Sequence, residues 1–185
     1  PAKRYLIRSD YNLNNSNKIS FRYNQLDSSD GKVLSGSTSA GLGRTLGTGF
    51  LPFAASNYAQ LENIKSGVGE WNSVLGNSMS QSVIAGYTTN NENRGDPGKL
   101  FPFVDVLAAD GTTYASFGTE PFTPNNELLF HTYQLQDNVT KFSNKHALTF
   151  GGTIQRYESD NSFFNCCKQS AYVYNSLADF YADAN

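Results

Sequence analysis

The sequence predicts an all-β chain, an antiparallel meander of about six long strands. Three observations predict it. Apolar and polar residues alternate with period two over long stretches, and short turn clusters join these stretches in pairs. Aromatic residues hold at 14% while charged residues fall to 16% and apolar residues to 38%, against roughly 45–50% apolar in ordinary soluble chains. The thin apolar share does not mean disorder, which goes with few aromatics and high net charge; this chain has 11 Tyr, 13 Phe and a net charge of −2. A helical bundle is not expected.

The first strand is set by Tyr5, Ile7, Ser9, Tyr11 and Leu13, interleaved with Leu6, Arg8, Asp10 and Asn12. Asn14 to Asn17 form a turn cluster. The pattern resumes with Ile19, Phe21, Tyr23 and Gln25 on one face and Lys18, Ser20, Arg22 and Asn24 on the other. A middle hairpin pairs residues 60–72 with residues 80–90 across a turn near Gly76 and Asn77. Ile64 and Val68 there share a parity that Trp71 does not, which a bulge at Gly67 or Gly69 would repair. The last hairpin sets Leu129, Tyr133, Leu135 and Val139 against Thr132, Gln134, Gln136, Asn138 and Thr140. It turns at residues 142–145 and returns with Leu148, Phe150, Gly152 and Ile154.

Between hairpins the chain spends many more residues. Residues 28–57 and 91–126 are long, rich in Gly, Ser, Thr and Pro, and carry few strand signals. Loops of that length are usually functional. In the second, residues 104–107 and 112–117 read as a small hairpin with Asp110-Gly111 at its tip. Beyond an irregular stretch at 161–169 come a short strand, Ala171 to Tyr174, and a helical turn, Leu177 to Tyr181, capped by Ser176 with Asp179 three residues on.

Short turns at one end and long loops at the other are the asymmetry of a transmembrane β-barrel with long extracellular loops. No stretch approaches the ~20 apolar residues of a spanning helix, which leaves crossing by strands open. The competing reading is a secreted β-sandwich carbohydrate-binding module, with a second sheet covering the apolar face. Two features favour the barrel. The polar face carries Arg8, Asp10, Arg22, Gln134 and Gln136, as a wet lumen lining would, and the opposite face places Tyr and Phe near strand ends like an interfacial girdle.

The stretches Lys3-Arg4-Tyr5-Leu6-Ile7-Arg8-Ser9-Asp10-Tyr11-Asn12 and Lys18-Ile19-Ser20-Phe21-Arg22-Tyr23-Asn24 resemble the barrel of TonB-dependent outer-membrane receptors, in particular the Oar-like group. Gly69-Glu70-Trp71-Asn72-Ser73, Leu100-Phe101-Pro102-Phe103-Val104-Asp105, Glu120-Pro121-Phe122-Thr123-Pro124-Asn125-Asn126-Glu127 and Tyr172-Val173-Tyr174-Asn175-Ser176-Leu177 extend the resemblance over nearly the whole chain. It implies a barrel of about 22 strands with a plugged lumen, preceded by a plug and a carboxypeptidase-regulatory-like domain. Residues 1–185 are then one partial barrel segment, with plug and N-terminal domains absent. Six strands are fewer than the roughly 8 of the smallest membrane barrels, so the sheet should have open edges.

The implied location is the outer membrane of a Gram-negative bacterium. The implied partners are outer-membrane lipid, TonB through the plug, and a ligand taken up actively. The near-neutral charge, with no run of Lys or Arg, excludes nucleic acid. Phe101, Phe103, Tyr114, Phe117 and Phe122, interspersed with Pro97, Pro102, Pro121 and Pro124, are the candidate ligand-contacting residues of an extracellular loop. The alternative is that they pack the loop onto the rim.

No enzyme signature, cofactor or metal is expected. Cys166 and Cys167 read as two loop thiols, because adjacent cysteines make no ordinary bridge and zinc would want further ligands. His131 and His146 lie too far apart along the last hairpin to share a metal. Gly41-Leu42-Gly43 with Gly47 lacks the strand and helix that a phosphate-binding loop needs. Asp105, Asp110 and Glu120, or Glu62 and Glu70, are acids that read as solvated.

Overall fold

The computed structural model describes residues 1–37, 46–95, 98–122, 126–164, 166–167 and 169–184, with the backbone alone at 46–48. Gly41 to Gly43, Pro97 and Pro124 lie outside the described residues. The elements run β1 (Ala2–Asn14), β2 (Asn17–Lys32), β3 (Leu46–Pro52), β4 (Tyr58–Leu75), β5 (Met79–Gly95), β6 (Phe103–Leu107), β7 (Thr113–Phe117), β8 (Glu127–Ser143), β9 (His146–Ser162), β10 (Ala171–Tyr174) and α1 (Leu177–Ala184), with a 3-10 turn at Ala54–Ser56. They fold as two compact units. One holds Pro1–Ser28, Glu62–Asn91 and Leu128–Asp160; the other holds Ser29–Leu61, Glu92–Glu127 and Asn161–Asn185.

The first, the wall unit, is built on a six-stranded sheet in the order β1-β2-β4-β5-β8-β9, the expected antiparallel meander. The sheet does not close, and β1 and β9 are its edges. Strand alternation fixes which side chains share a face, because cross-strand partners point the same way. Ile7 lies opposite Tyr23, Ser9 opposite Phe21 and Tyr11 opposite Ile19; on the other face Arg8 lies opposite Arg22, Asp10 opposite Ser20 and Asn12 opposite Lys18. The hairpin turns are tied to the neighbouring hairpin: Val74 N donates to the Ser16 carbonyl at 2.8 Å and Phe142 N to the Ser78 carbonyl at 2.8 Å.

The bulge expected in β4 is absent from its contacts. Asn63 bonds Asp27, a Cβ on Gly67 would touch the Phe21 ring at 3.9 Å, and Trp71 Nε1 donates to Asn17 Oδ1 at 3.0 Å. Residues 63, 67 and 71 therefore keep one parity and share the face of Phe21. Ile64 and Val68 belong to the opposite, polar face, with Ser66, whose hydroxyl accepts from Thr88 Oγ1 at 2.9 Å.

The second, the loop unit, corrects the expectation of loops with little strand. It forms a four-stranded sheet in the order β10-β6-β7-β3. The β6–β7 hairpin is antiparallel as expected, but β10 joins β6 and β3 joins β7 in parallel. Phe103, fully buried, packs with Leu34 and Phe122 on one side of β6, backed by Phe50, Cys166 and Ala171. Val104 and Val106, on the opposite parity, are buried too. Phe117, opposite Val104, stacks edge-on with Phe53 at 6.0 Å and with Phe180 of α1 at 5.6 Å. Helix α1 starts as expected: Ser176 Oγ accepts from Asp179 N at 3.1 Å, satisfying one of the orphan donors of its first turn.

After β7 the chain turns back at Gly118, φ +92°, which a side chain could not follow. A Cβ there would lie 2.9 Å from Phe103 Cα, and positive φ is costly for residues other than Gly.

Candidate functional site: the faces of the wall and the loop unit

The wall sheet is amphipathic the wrong way round for a protein in water. On β8, Tyr133 and Leu135 are exposed, while their neighbours Gln134 and Gln136 on the other face are half-buried. Across the sheet the exposed apolar residues include Ile7 at 62%, Phe150 at 69% and Ile154 at 73%. A sandwich module would bury Ile7, Phe21, Leu135 and Phe150 between two sheets, and all four are exposed. The buried core belongs instead to Leu34, Phe103 and Phe122 of the loop unit.

Apart from Tyr23, which lies opposite Ile7, the aromatic side chains named on this outward face fall in two groups. Tyr11, Phe21, Trp71 and Phe150 lie toward the hairpin turns. Tyr5, Tyr87 and Tyr133 lie toward the loop ends of the strands, with Ile7, Leu135 and Ile154 between the groups. Tyr87 gathers the second group: its ring lies 5.0 Å from that of Tyr133 and stacks on His131 at 6.0 Å, and its hydroxyl meets His131 Nδ1 at 2.7 Å. Two aromatic bands flanking an aliphatic one are what a bilayer interface selects, since Tyr and Trp place an apolar body and a polar tip at the headgroup boundary. Polar residues on this face include Lys65, Asn63 bonded to Asp27, Arg156 paired with Glu158, and the pair in which Gln81 Nε2 donates to both Asp137 oxygens at 3.0 Å.

The opposite face carries Arg8, Asp10, Arg22, Gln134 and Gln136. Asp10 collects donors from three residues: Arg8 through Nε at 2.9 Å and Nη2 at 3.1 Å, Lys18 Nζ at 3.2 Å and Ser20 Oγ at 2.6 Å. Arg22 lies directly across from Arg8, a like-charge pairing eased by the bond from Arg8 to Asp10. The amide residues Asn12, Asn14, Asn72 and Asn138, with Ser80 and Ser82, line a hollow of about 560 Å³ toward the turns. This face is not polar throughout. Leu6 and Leu26, whose cross-strand partners are Asn24 and Arg4, join Ile64 in lining a second hollow of about 310 Å³.

A family model, described as an outer membrane beta barrel domain, matches residues 1–185. The chain belongs to that family. This outer-membrane barrel domain lies in the cell outer membrane, in contact with lipid. Comparison with the curated proteins and with the solved structures finds no match.

The loop aromatics divide by burial. Phe103 and Phe122 are interior to the loop unit, so the expectation that they contact ligand is corrected: their rings are spent on the core. Phe117 is half-buried between Phe53 and Phe180. Phe101 and Tyr114 are exposed and keep surface to offer. Of the candidate acids, Asp105 and Glu120 are fully buried rather than solvated. Ser116 Oγ donates to Asp105, Phe122 N donates to Glu120 Oε2 at 2.9 Å, and Gln169 Nε2 bridges the Thr119 and Glu120 carbonyls at 2.8 and 3.2 Å. A buried polar layer of this kind specifies one packing of the loops, because each group would be costly without its partner. Cys166 and Cys167 lie side by side in the segment between β9 and β10, with Cys166 packed against the Phe103 core. The segment that carries them is held from both sides, by Phe164 N on Asn126 Oδ1 at 2.7 Å and by the Gln169 bridge.

Asp110 sits exposed at the β6–β7 tip and accepts from Thr112 N at 3.0 Å and Thr112 Oγ1 at 2.7 Å. These bonds favour the carboxylate and hold its pKa below the ordinary 3.8. Their stabilisation is therefore present above about pH 3.8 and fades as pH falls through the lowered value. Asp110→Ala is expected to speed amide exchange at Thr112 at neutral pH, with the native chain approaching the variant's rate in acid. Equal rates at neutral pH would remove the turn's dependence on this carboxylate.

Proposed function

We propose that this domain is a wall segment of a TonB-dependent receptor, taking part in active uptake of a ligand across the outer membrane. The observation that carries this reading is the apolar hollow of Leu6, Leu26 and Ile64 on the otherwise polar interior face. In a water-filled channel such residues would stand exposed at a cost of roughly 25 cal/mol per Å². A plug packed in the lumen covers them. The ordered loop unit, with Phe101 and Tyr114 exposed, fits the external vestibule of such a receptor, where rigid aromatic rings offer stacking surface. Specificity then belongs to the loops around the complete barrel and to the plug. The segment has no catalytic role in this reading.

The test uses the full-length protein in its own outer membrane. Ile64→Cys is expected to resist a water-soluble maleimide while the lumen is plugged and to react readily after deletion of a plug-coding segment. A photo-cross-linker in the plug's amino-terminal stretch is expected to capture TonB. Free labelling of Ile64→Cys in the intact protein, with no TonB adduct, would point to an open channel and overturn the reading.

A further inference from the structure

We propose that the plug segment seated on the apolar hollow of the polar face is an acidic one, which lays apolar side chains on Leu6, Leu26 and Ile64 and gives carboxylates to Arg4 and Arg22. The inference rests on the reading of a plugged lumen and names the chemistry of the partner surface at that hollow. Arg4 and Asn24 complete its lining. Cross-strand register sets the layout: Arg4 lies opposite Leu26, Leu6 opposite Asn24 and Arg8 opposite Arg22. Arg4 therefore stands at the loop side of the hollow. Arg22 stands one rung nearer the turn, roughly 7 Å from Asn24 along β2, the spacing of successive same-face residues on a strand.

Charge selects the occupant. Four cations of the wall unit stand on this face of β1 and β2: Arg4, Arg8, Lys18 and Arg22. Arg8 and Lys18 both bond Asp10. Arg4 and Arg22 make no hydrogen bond or ion pair among the described residues. The other acids on this face of β4 do not serve them. Glu70 accepts from Asn72 Nδ2 at 2.7 Å, and Glu62 lies beyond Ile64 toward the loops, bonded to neither arginine. In water two exposed guanidiniums are stable as they are. Beneath a plug they lose that water, and a buried charge without a partner is strongly destabilising. A guanidinium presents its donors in a fixed fork that a carboxylate meets with two parallel bonds, so a segment carrying Asp or Glu beside its apolar residues matches the hollow and both of its flanks. A neutral or basic segment would cover Leu6, Leu26 and Ile64 while leaving both arginines buried and unpaired.

The experiment takes the full-length protein in its own outer membrane, with folding checked by heat-dependent gel mobility. A photo-cross-linking residue in place of Asn24, in the lining of the hollow, is expected to capture a plug segment that carries Asp or Glu within a few residues of the linked position. In a second arm, Arg22→Glu is expected to raise the rate at which Ile64→Cys takes a water-soluble maleimide by about tenfold, because an acid facing an acid loosens the segment. Arg22→Gln, which only removes the charge, raises it less and carries the test where Arg22→Glu does not fold. Exchanging the captured acid for Arg is expected to restore protection in the Arg22→Glu protein. If Ile64→Cys is protected in the otherwise native protein but the plug is not captured, the captured segment has no acid, or the substitutions at Arg22 leave labelling unmoved, this proposal is overturned and the plugged lumen stands. Free labelling of Ile64→Cys in the otherwise native protein overturns the plugged lumen itself, and this proposal with it.

Discussion

Leu135→Arg in the full-length barrel is expected to lower its stability in phospholipid vesicles by about 2–4 kcal/mol, the range for a cation at the middle of a lipid-facing strand. Leu135 is exposed on β8 between aromatic groups, and its flanking residues Gln134 and Gln136 point to the other face. Gln136→Arg, one residue away, is expected to change stability by less than about 1 kcal/mol, because the lumen side is wet and tolerates charge. Urea titration of the folded fraction, read from heat-dependent gel mobility, measures both. Leu135→Ala adds a third arm: a lipid-facing leucine exchanges one apolar contact for another with acyl chains, whereas a leucine in a packed core loses about 2–5 kcal/mol on truncation. A large Leu135→Ala cost alongside a small Leu135→Arg difference between the faces would mean that the surface is covered by protein.

The wall was legible in the sequence because its information is local. Alternation with period two names the faces of β1 and β2 without knowledge of any neighbour, and the register of Arg8 with Arg22 and Tyr11 with Ile19 places them as the alternation requires. The phase of β4 stayed open for a local reason: Ile64 and Val68 are apolar residues on the polar face, so hydrophobicity conflicts with Trp71, and contact with Phe21 and Asn17 decides it. The loop unit was legible only where it pairs locally, at the β6–β7 hairpin, the short strand β10 and the Ser176 cap. Its parallel pairings bring Ala171 beside Phe103 and Leu51 beside Ala115. Such long-range pairing depends on the packing of the whole unit, and no short window of sequence carries its signal. The same gap explains Phe103 and Phe122: an aromatic in a Pro-rich loop looks available for ligand until the core that consumes it is assembled.

Phe103→Ala is expected to cost the loop unit about 3–5 kcal/mol, the range for truncating a buried Phe. Phe103 is fully buried on the central strand β6, and its backbone N–H also donates to the Ser170 carbonyl at 2.9 Å, tying β10 to the sheet. Truncation leaves a void between Leu34 and Phe122 that a four-stranded sheet with few other buried apolar residues cannot collapse to fill. The wall strands draw their order from their own ladder and from lipid, so the loss should stay local. Hydrogen exchange on the full-length protein is expected to show β6, β7 and β10 opening readily in the variant while the wall segments of β1, β2 and β8 keep their protection. Phe101→Ala, which removes an exposed ring, is expected to leave exchange in β6 and β7 unchanged. If both variants open the wall as fully as the loop unit, the two fold as one cooperative body and the loop unit has no stability of its own; if neither opens β6, the Phe103 ring is not what holds the loops together.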